Sequence, residues 1–222
     1  MFWVQGYETQ ADYQEVSMEG IIFDVDGTLW DPSREIAVSW NKAIEEKSRL
    51  NRVLSAEDMK KELGKPMGQI MDSLFPELTK EERAQLAEHM FRYENKWIET
   101  APCIVYDKMP EVIRKLSQKY PLFIVSNCQS GYIEAFLKNT GLKEYFLDYT
   151  CPGDTGKLKG ENIRIIMERN KIKDAVYVGD TQGDANACKE AGIPMIYAAY
   201  GFGEVEGEYQ TVHSFIELLN IF

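Results

Sequence analysis

The run Gly20-Ile21-Ile22-Phe23-Asp24-Val25-Asp26-Gly27-Thr28 constrains the fold more than any other stretch of this chain. An apolar run this short, closed by carboxylates, reads as a buried strand. Asp24 and Asp26 then fall where the strand gives way to a loop. In an open parallel sheet, that edge is where ligands bind. Two neighbouring acids repel, and burying them is costly without a counter-charge. A divalent cation is the simplest one, and an all-oxygen ligand set suits Mg²⁺. Asp-Gly alone is ordinary turn chemistry, so the pair needs further residues before it means catalysis.

Those residues follow in order. Pro121-Leu122-Phe123-Ile124-Val125 is a second buried-strand run and ends in Ser126-Asn127. Ala175-Val176-Tyr177-Val178 is a third and ends in Gly179-Asp180-Thr181-Gln182-Gly183-Asp184. Between them lies Thr155-Gly156-Lys157-Leu158-Lys159-Gly160, a glycine-bracketed basic loop that opens a helix. A hydroxyl, a lysine and a second acid pair thus fall at strand ends or helix starts.

The rest of the chain sets the organisation. From Ser33 to Thr100 it reads helical, with an apolar stripe through Ile36, Ala37, Trp40, Ala43 and Ile44. Ser55-Ala56-Glu57-Asp58 is a capping start, and Thr79-Lys80-Glu81-Glu82 is a capping box. From Cys103 a strand-helix rhythm resumes. Helices are expected over 109–119, 130–139, 161–169, 185–191 and 213–219, and strands over 121–125, 175–178 and 195–198. Gly141 and Gly192 are placed as helix stops. This alternation predicts an α/β parallel sheet with right-handed crossovers. The expected division is an N-terminal extension over 1–17, an α/β core over 18–32 and 101–222, and a helical insertion over 33–100.

Charge and composition exclude some partners. A net charge of −11 argues against nucleic acid and anionic membranes. No apolar run approaches the ~20 residues of a membrane span. The four cysteines form no CxxC pair, which reads as free thiols in a cytoplasmic protein. Cys128 is expected to be a small buried residue.

The set Asp24-Val25-Asp26-Gly27-Thr28, Ser126, Lys157 and Gly179-Asp180 with Asp184 resembles the motifs of the haloacid dehalogenase (HAD) superfamily phosphatases. The resemblance implies a Rossmann-like core carrying an inserted all-helical cap of the C1 type. It also implies a Mg²⁺-dependent phosphatase acting on a small phosphorylated metabolite, with phosphoglycolate phosphatase the nearest type. Asp24 would be the nucleophile, forming an aspartyl-phosphate, and Asp26 the general acid and then base. Mg²⁺ would be held by Asp24, the main-chain carbonyl of Asp26, and Asp180. Ser126, Gly27 and Asn127 would bind phosphate together with Lys157. Lys157 aligns with the lysine of the family's Lys-Pro-x-Pro-Glu pattern, both prolines are missing, and Lys159 is the rival. Thr28 and Asp184 would support the site from behind, and Asp31 would serve as a hinge or cap residue. Lys65, in the cap loop Gly64-Lys65-Pro66-Met67-Gly68, and Arg34 are the candidates for substrate choice. A β-phosphoglucomutase-like phosphotransferase and an inorganic pyrophosphatase or nucleotidase share these motifs. A non-catalytic binding protein on the same scaffold is the reading from another class. A monomer or homodimer is expected.

Overall fold

The computed structural model describes residues 18–222, so the extension read over 1–17 lies outside the described residues. In chain order the elements are β1 (Gly20–Phe23), β2 (Trp30–Asp31), α1 (Ser33–Lys47), α2 (Ala56–Glu62), α3 (Met67–Leu74) and α4 (Lys80–Ile98). They continue with β3 (Ile104–Val105), α5 (Met109–Leu116), β4 (Leu122–Val125), α6 (Tyr132–Thr140), β5 (Asp148–Thr150), α7 (Pro152–Thr155) and α8 (Lys159–Asn170). The last are β6 (Ala175–Gly179), α9 (Gln182–Ala191), β7 (Met195–Ala198) and β8 (Gln210–Val212), with 3-10 turns at Lys143–Tyr145 and Phe215–Asn220.

Six strands form one parallel sheet in the order β5-β4-β1-β6-β7-β8. β1 lies between β4 and β6, with Phe23 level with Ile124 on one side and Val178 on the other. The alternation of side chains along each strand explains why these runs are wholly apolar. Ile21, Phe23, Leu122, Ile124, Val176 and Val178 enter one buried cluster, and Ile22, Phe123, Val125 and Tyr177 enter a second. Both faces are covered, as parallel sheets require. Because the strands run the same way, Asp24, Ser126 and Asp180 emerge together at one edge, at the point where the strand order reverses.

The block between the first two motifs is four helices, α1 to α4. The expected capping box forms at Thr79 with Glu82, and the capping start read at Ser55 is itself a capping box with Asp58. Ile36, Trp40, Met59, Ile70 and Met90 join the same apolar cluster as Phe23 and Ile124, so the helices share their core with one face of the sheet. A two-stranded antiparallel ribbon, β2 with β3, marks where the chain leaves the core and returns.

Several expected elements differ. The helix expected over 213–219 is a 3-10 turn, with its entry held by Glu217, which accepts from the Ser214 hydroxyl and the His213 N–H. The helix expected from Ser130 begins at Tyr132, because Gly131 at φ 86° sits in the left-handed region. The helix expected from Glu161 begins two residues earlier, at Lys159. β5 and β8 are short, with Asp148, Tyr149, Gln210 and Thr211 not fully buried, so they carry no apolar run to read.

Candidate active site

The tight turn after β1 builds the site. The carbonyl of Val25 accepts the N–H groups of Thr28, Leu29 and Trp30, and Gly27 N–H donates to the Trp30 carbonyl. Gly27 has φ 84°, and a Cβ there would meet Asp180 Oδ2 at 2.1 Å. Any side chain would therefore collide with the second acid of the site, and the conformation also favours glycine. The turn brings Thr28 against Asp180, with its hydroxyl donating to Oδ1 at 3.0 Å. Phe202 N–H donates to Asp180 Oδ2 at 2.8 Å.

Lys159 stands at the centre. Its ammonium donates to Asp24 Oδ1 at 2.9 Å and to Asp184 Oδ1 at 2.6 Å, and its side chain is only 4% exposed. Burial works against the charge, but the carboxylates of Asp184 and Asp24 more than offset it and hold the ammonium above the usual lysine range. Lys157, which the sequence favoured, points into solvent and pairs with Glu161 at 3.5 Å. The reason is the helix frame. Glu161 takes the third position of α8 and accepts from Leu158 N–H at 3.3 Å, so Lys159 becomes the first helical residue. The buried Asn162 accepts from the Thr155 hydroxyl and donates to the Lys157 carbonyl, fixing the preceding loop.

Asp24, Asp180 and Asp184 each offer a carboxylate oxygen, and these oxygens lie within 4.8 Å of one another. Their remaining bonds divide the roles. Asp184 Oδ2 accepts from Thr181 N–H and hydroxyl, at 2.9 and 2.7 Å, and from Asp180 N–H at 3.2 Å. With Lys159 on Oδ1, both Asp184 oxygens are engaged. Asp24 Oδ2, by contrast, is the buried side-chain oxygen left without a hydrogen-bond partner among the described residues. Burial pushes the Asp24 carboxyl upward against the pull of Lys159, and burial with the nearby Asp184 and Asp24 pushes Asp180 well up. Clustered acids with an orphaned oxygen fit a hard divalent cation, whose charge would reverse those shifts.

Asp26 is 6% exposed and faces aromatic donors: Trp30 Nε1–H at 2.8 Å and Tyr132 O–H at 2.6 Å, both to Oδ1. Burial raises its carboxyl to about 7, with the Tyr132 hydrogen bond opposing. Neither aromatic stood out in the sequence. Trp30 at i+4 from Asp26 was a local signal, while the approach of Tyr132 depends on the fold. Glu94 of α4 was also missed. It is buried, accepts from Trp40 Nε1–H at 2.5 Å, and burial pushes it up to about 8.

Ser126 is buried at the end of β4. Asn127 donates from its side chain to the Gly64 carbonyl of the helical block at 2.9 Å. Lys65 is half-exposed and paired with Glu62 at 2.9 Å. A cavity of about 530 Å³ brings Lys65, Lys60 and Lys61 from the helical block together with Asn127 and Lys159. Arg34 is not brought to the site: its side chain is 82% exposed. Asp31 accepts from the Ser33 N–H and hydroxyl at the start of α1 and pairs with Lys60. Cys128 is buried. A larger cavity of about 1110 Å³, beside Met18, Tyr120, Met195 and Phe222, opens at the other end of the strands, away from the acids.

Comparison with known proteins bears on the family and the fold. The family of haloacid dehalogenase-like hydrolases matches residues 21–198. A phosphoglycolate phosphatase of Vibrio vulnificus (strain CMCP6) is 28% identical over 87% of this chain and 88% of its own. One from Aquifex aeolicus (strain VF5) is 26% identical over 86% of this chain and 89% of its own. Among solved structures, a haloacid dehalogenase-like family hydrolase of Streptococcus pneumoniae superposes with a TM-score of 0.78 at 22% identity, covering 92% of this chain and 98% of that one. A predicted phosphoglycolate phosphatase from Haemophilus somnus 129pt gives 0.79 at 20% identity, covering 92% and 97%. With the family match running from the first residues of β1 to the end of β7, this chain belongs to the haloacid dehalogenase-like hydrolases.

Proposed function

We propose that this protein is a Mg²⁺-dependent phosphatase that hydrolyses a small phosphorylated metabolite of the phosphoglycolate type. The observation that carries the reading is the buried Asp24, with Lys159 on one oxygen and the other oxygen free. Such a carboxylate is oriented by an ammonium, and its two oxygens can divide between attack at phosphorus and holding the cation. The phosphoglycolate phosphatases among the relatives support the substrate class.

In this reading Asp24 attacks the phosphorus and carries the phosphoryl group as an acyl phosphate. Asp26 protonates the leaving oxygen, then takes a proton from the water that cleaves the acyl phosphate. Its carboxyl at about 7 lets it hold a proton near neutrality and release it in the next step. Lys159 neutralises the transferring group, and Ser126 with the Gly27 turn binds its oxygens. Asp24, the main-chain carbonyl of Asp26, and Asp180 would hold Mg²⁺, which supplies charge neutralisation for the nucleophile and the phosphate. Asp184 holds Lys159 in place. The helical block over 33–100 acts as the cap, and its lysines around the cavity meet the anionic remainder of the substrate.

The test is release of inorganic phosphate from 2-phosphoglycolate by the purified protein, with Mg²⁺ and with excess chelator. Turnover that requires the cation is expected. Absence of phosphate release from this substrate and from p-nitrophenyl phosphate would overturn the reading.

A further inference from the structure

The geometry points to Tyr132 as a positioning residue that, with Trp30, fixes which oxygen of Asp26 carries the catalytic proton. The inference rests on the proposed phosphatase reading and extends it to residues outside the catalytic set.

Both donors converge on one atom. Trp30 Nε1–H reaches Asp26 Oδ1 at 2.8 Å and Tyr132 O–H reaches the same oxygen at 2.6 Å. An indole N–H can donate but never accept. Oδ1 must therefore present a lone pair to Trp30 whatever the charge on Asp26. A phenol can also accept, but Asp26 Oδ1 is the acceptor that the buried Tyr132 O–H has among the described residues. That O–H therefore takes the second lone pair and leaves Oδ2 for the proton. The acid proton sits on Oδ2, and the carboxyl is presented with one fixed edge. In the first step the Oδ2–H bond breaks as the leaving oxygen gains the proton. In the second, Oδ2 takes a proton from water.

The clamp is buried and packed. Tyr132 is 1% exposed and Trp30 is fully buried. Their rings meet edge to face at 6.3 Å, and Trp30 meets Phe136 in the same way at 4.9 Å. The segment that precedes Tyr132 is tied to the helical block. Asn95 of α4 donates to the Ser130 carbonyl at 2.8 Å and accepts from Gln129 at the same distance. A phenol held this firmly limits the angles the Asp26 carboxyl can adopt, and proton transfer depends on that angle.

The test is a leaving-group comparison in Tyr132→Phe, with wild type measured first. kcat/KM covers the steps through transfer to Asp24, so it isolates the acid role of Asp26. For an alkyl phosphate, whose leaving oxygen needs a proton, kcat/KM should fall by about 10-fold or more, a part of the ~10²–10⁴ of general acid catalysis. For p-nitrophenyl phosphate, whose leaving group departs without one, the change should stay within about 2-fold. Trp30→Phe, which removes the other donor but keeps an aromatic ring, should show the same split and replaces Tyr132→Phe if that variant does not fold. An equal loss on both substrates, or none on either, overturns the inference while leaving the phosphatase reading standing. A wild type that releases no phosphate overturns both.

Discussion

Lys157 and Lys159 are two residues apart and chemically identical, yet their surroundings are opposite. Lys159→Ala should lower kcat/KM by ~10³-fold, the scale of losing a preorganised charge at the reacting group. It should also destabilise the protein by about 3–5 kcal/mol without added Mg²⁺, because two buried carboxylates lose their shared cation. Lys157→Ala should behave like wild type in both assays, since its partner Glu161 is a partly exposed surface acid. Kinetics and urea unfolding on the pair decide this, and the reverse order of effects would return the role to Lys157. Glu94 gives a separate residue-level test. Its folded carboxyl sits at about 8 against an ordinary 4.5. Between those values the folded state holds a proton that the unfolded state has lost. Its contribution to stability is therefore full below about pH 4.5 and declines as pH rises toward 8, by up to ~1.4 kcal/mol per pH unit. Glu94→Gln removes that loss. Unfolding measured at pH 5 and pH 8 should show a smaller decline for the variant than for wild type, and parallel declines would contradict a buried neutral Glu94.

At the scale of elements, helix starts serve two purposes. Thr79 caps α4 through Glu82 on the exposed side of the helical block, and Thr181 caps α9 through Asp184 inside the site. Removing either hydroxyl with alanine should cost ~1 kcal/mol of stability. Only Thr181→Ala should also reduce kcat, because the Asp184 oxygen that it and its neighbours hold orients the carboxylate gripping Lys159. Matched thermal unfolding and phosphate-release assays separate the two, and equal activity in both variants would count against a positioning role for that cap. The same logic explains the shifted start of α8. Glu161 was legible as a helix-start acid, but the sequence around it offered two lysines and an intervening leucine. The fold buries Lys159 and leaves Leu158 59% exposed, the reverse of what hydropathy favours. Only the pull of two acids, Asp24 just after β1 and Asp184 in the first turn of α9, makes that inversion stable.

For the whole molecule, the helical block is joined to the sheet edge around the cavity. Asn127 holds the Gly64 carbonyl, Asn95 holds Ser130, and Lys60 of α2 pairs with Asp31 of the ribbon. In a chain of net charge −11, four lysines lining one cavity, three of them from the helical block, make a local exception for an anionic substrate. Lys65→Ala should therefore raise KM for 2-phosphoglycolate several-fold, by roughly 1 kcal/mol of a partly exposed ion pair, and leave p-nitrophenyl phosphate nearly unchanged. Equal effects on both would mean that Lys65 supports the core site instead. Local sequence patterns were enough to read the parallel α/β sheet, the run of helices between the first two strand-end motifs, and the emergence of Asp24, Ser126 and Asp180 at one sheet edge. Each follows from local patterns: apolar runs of strand length, capping boxes, and polar residues where those runs stop. The tertiary structure alone decided which lysine enters, which oxygen of Asp24 stays free, and that Tyr132 and Trp30 share one oxygen of Asp26. Those outcomes depend on charges and donors brought together from positions as far apart as Asp24 and Lys159, or Asp26 and Tyr132. No local pattern encodes such distances, because they are set by how the sheet and helices pack.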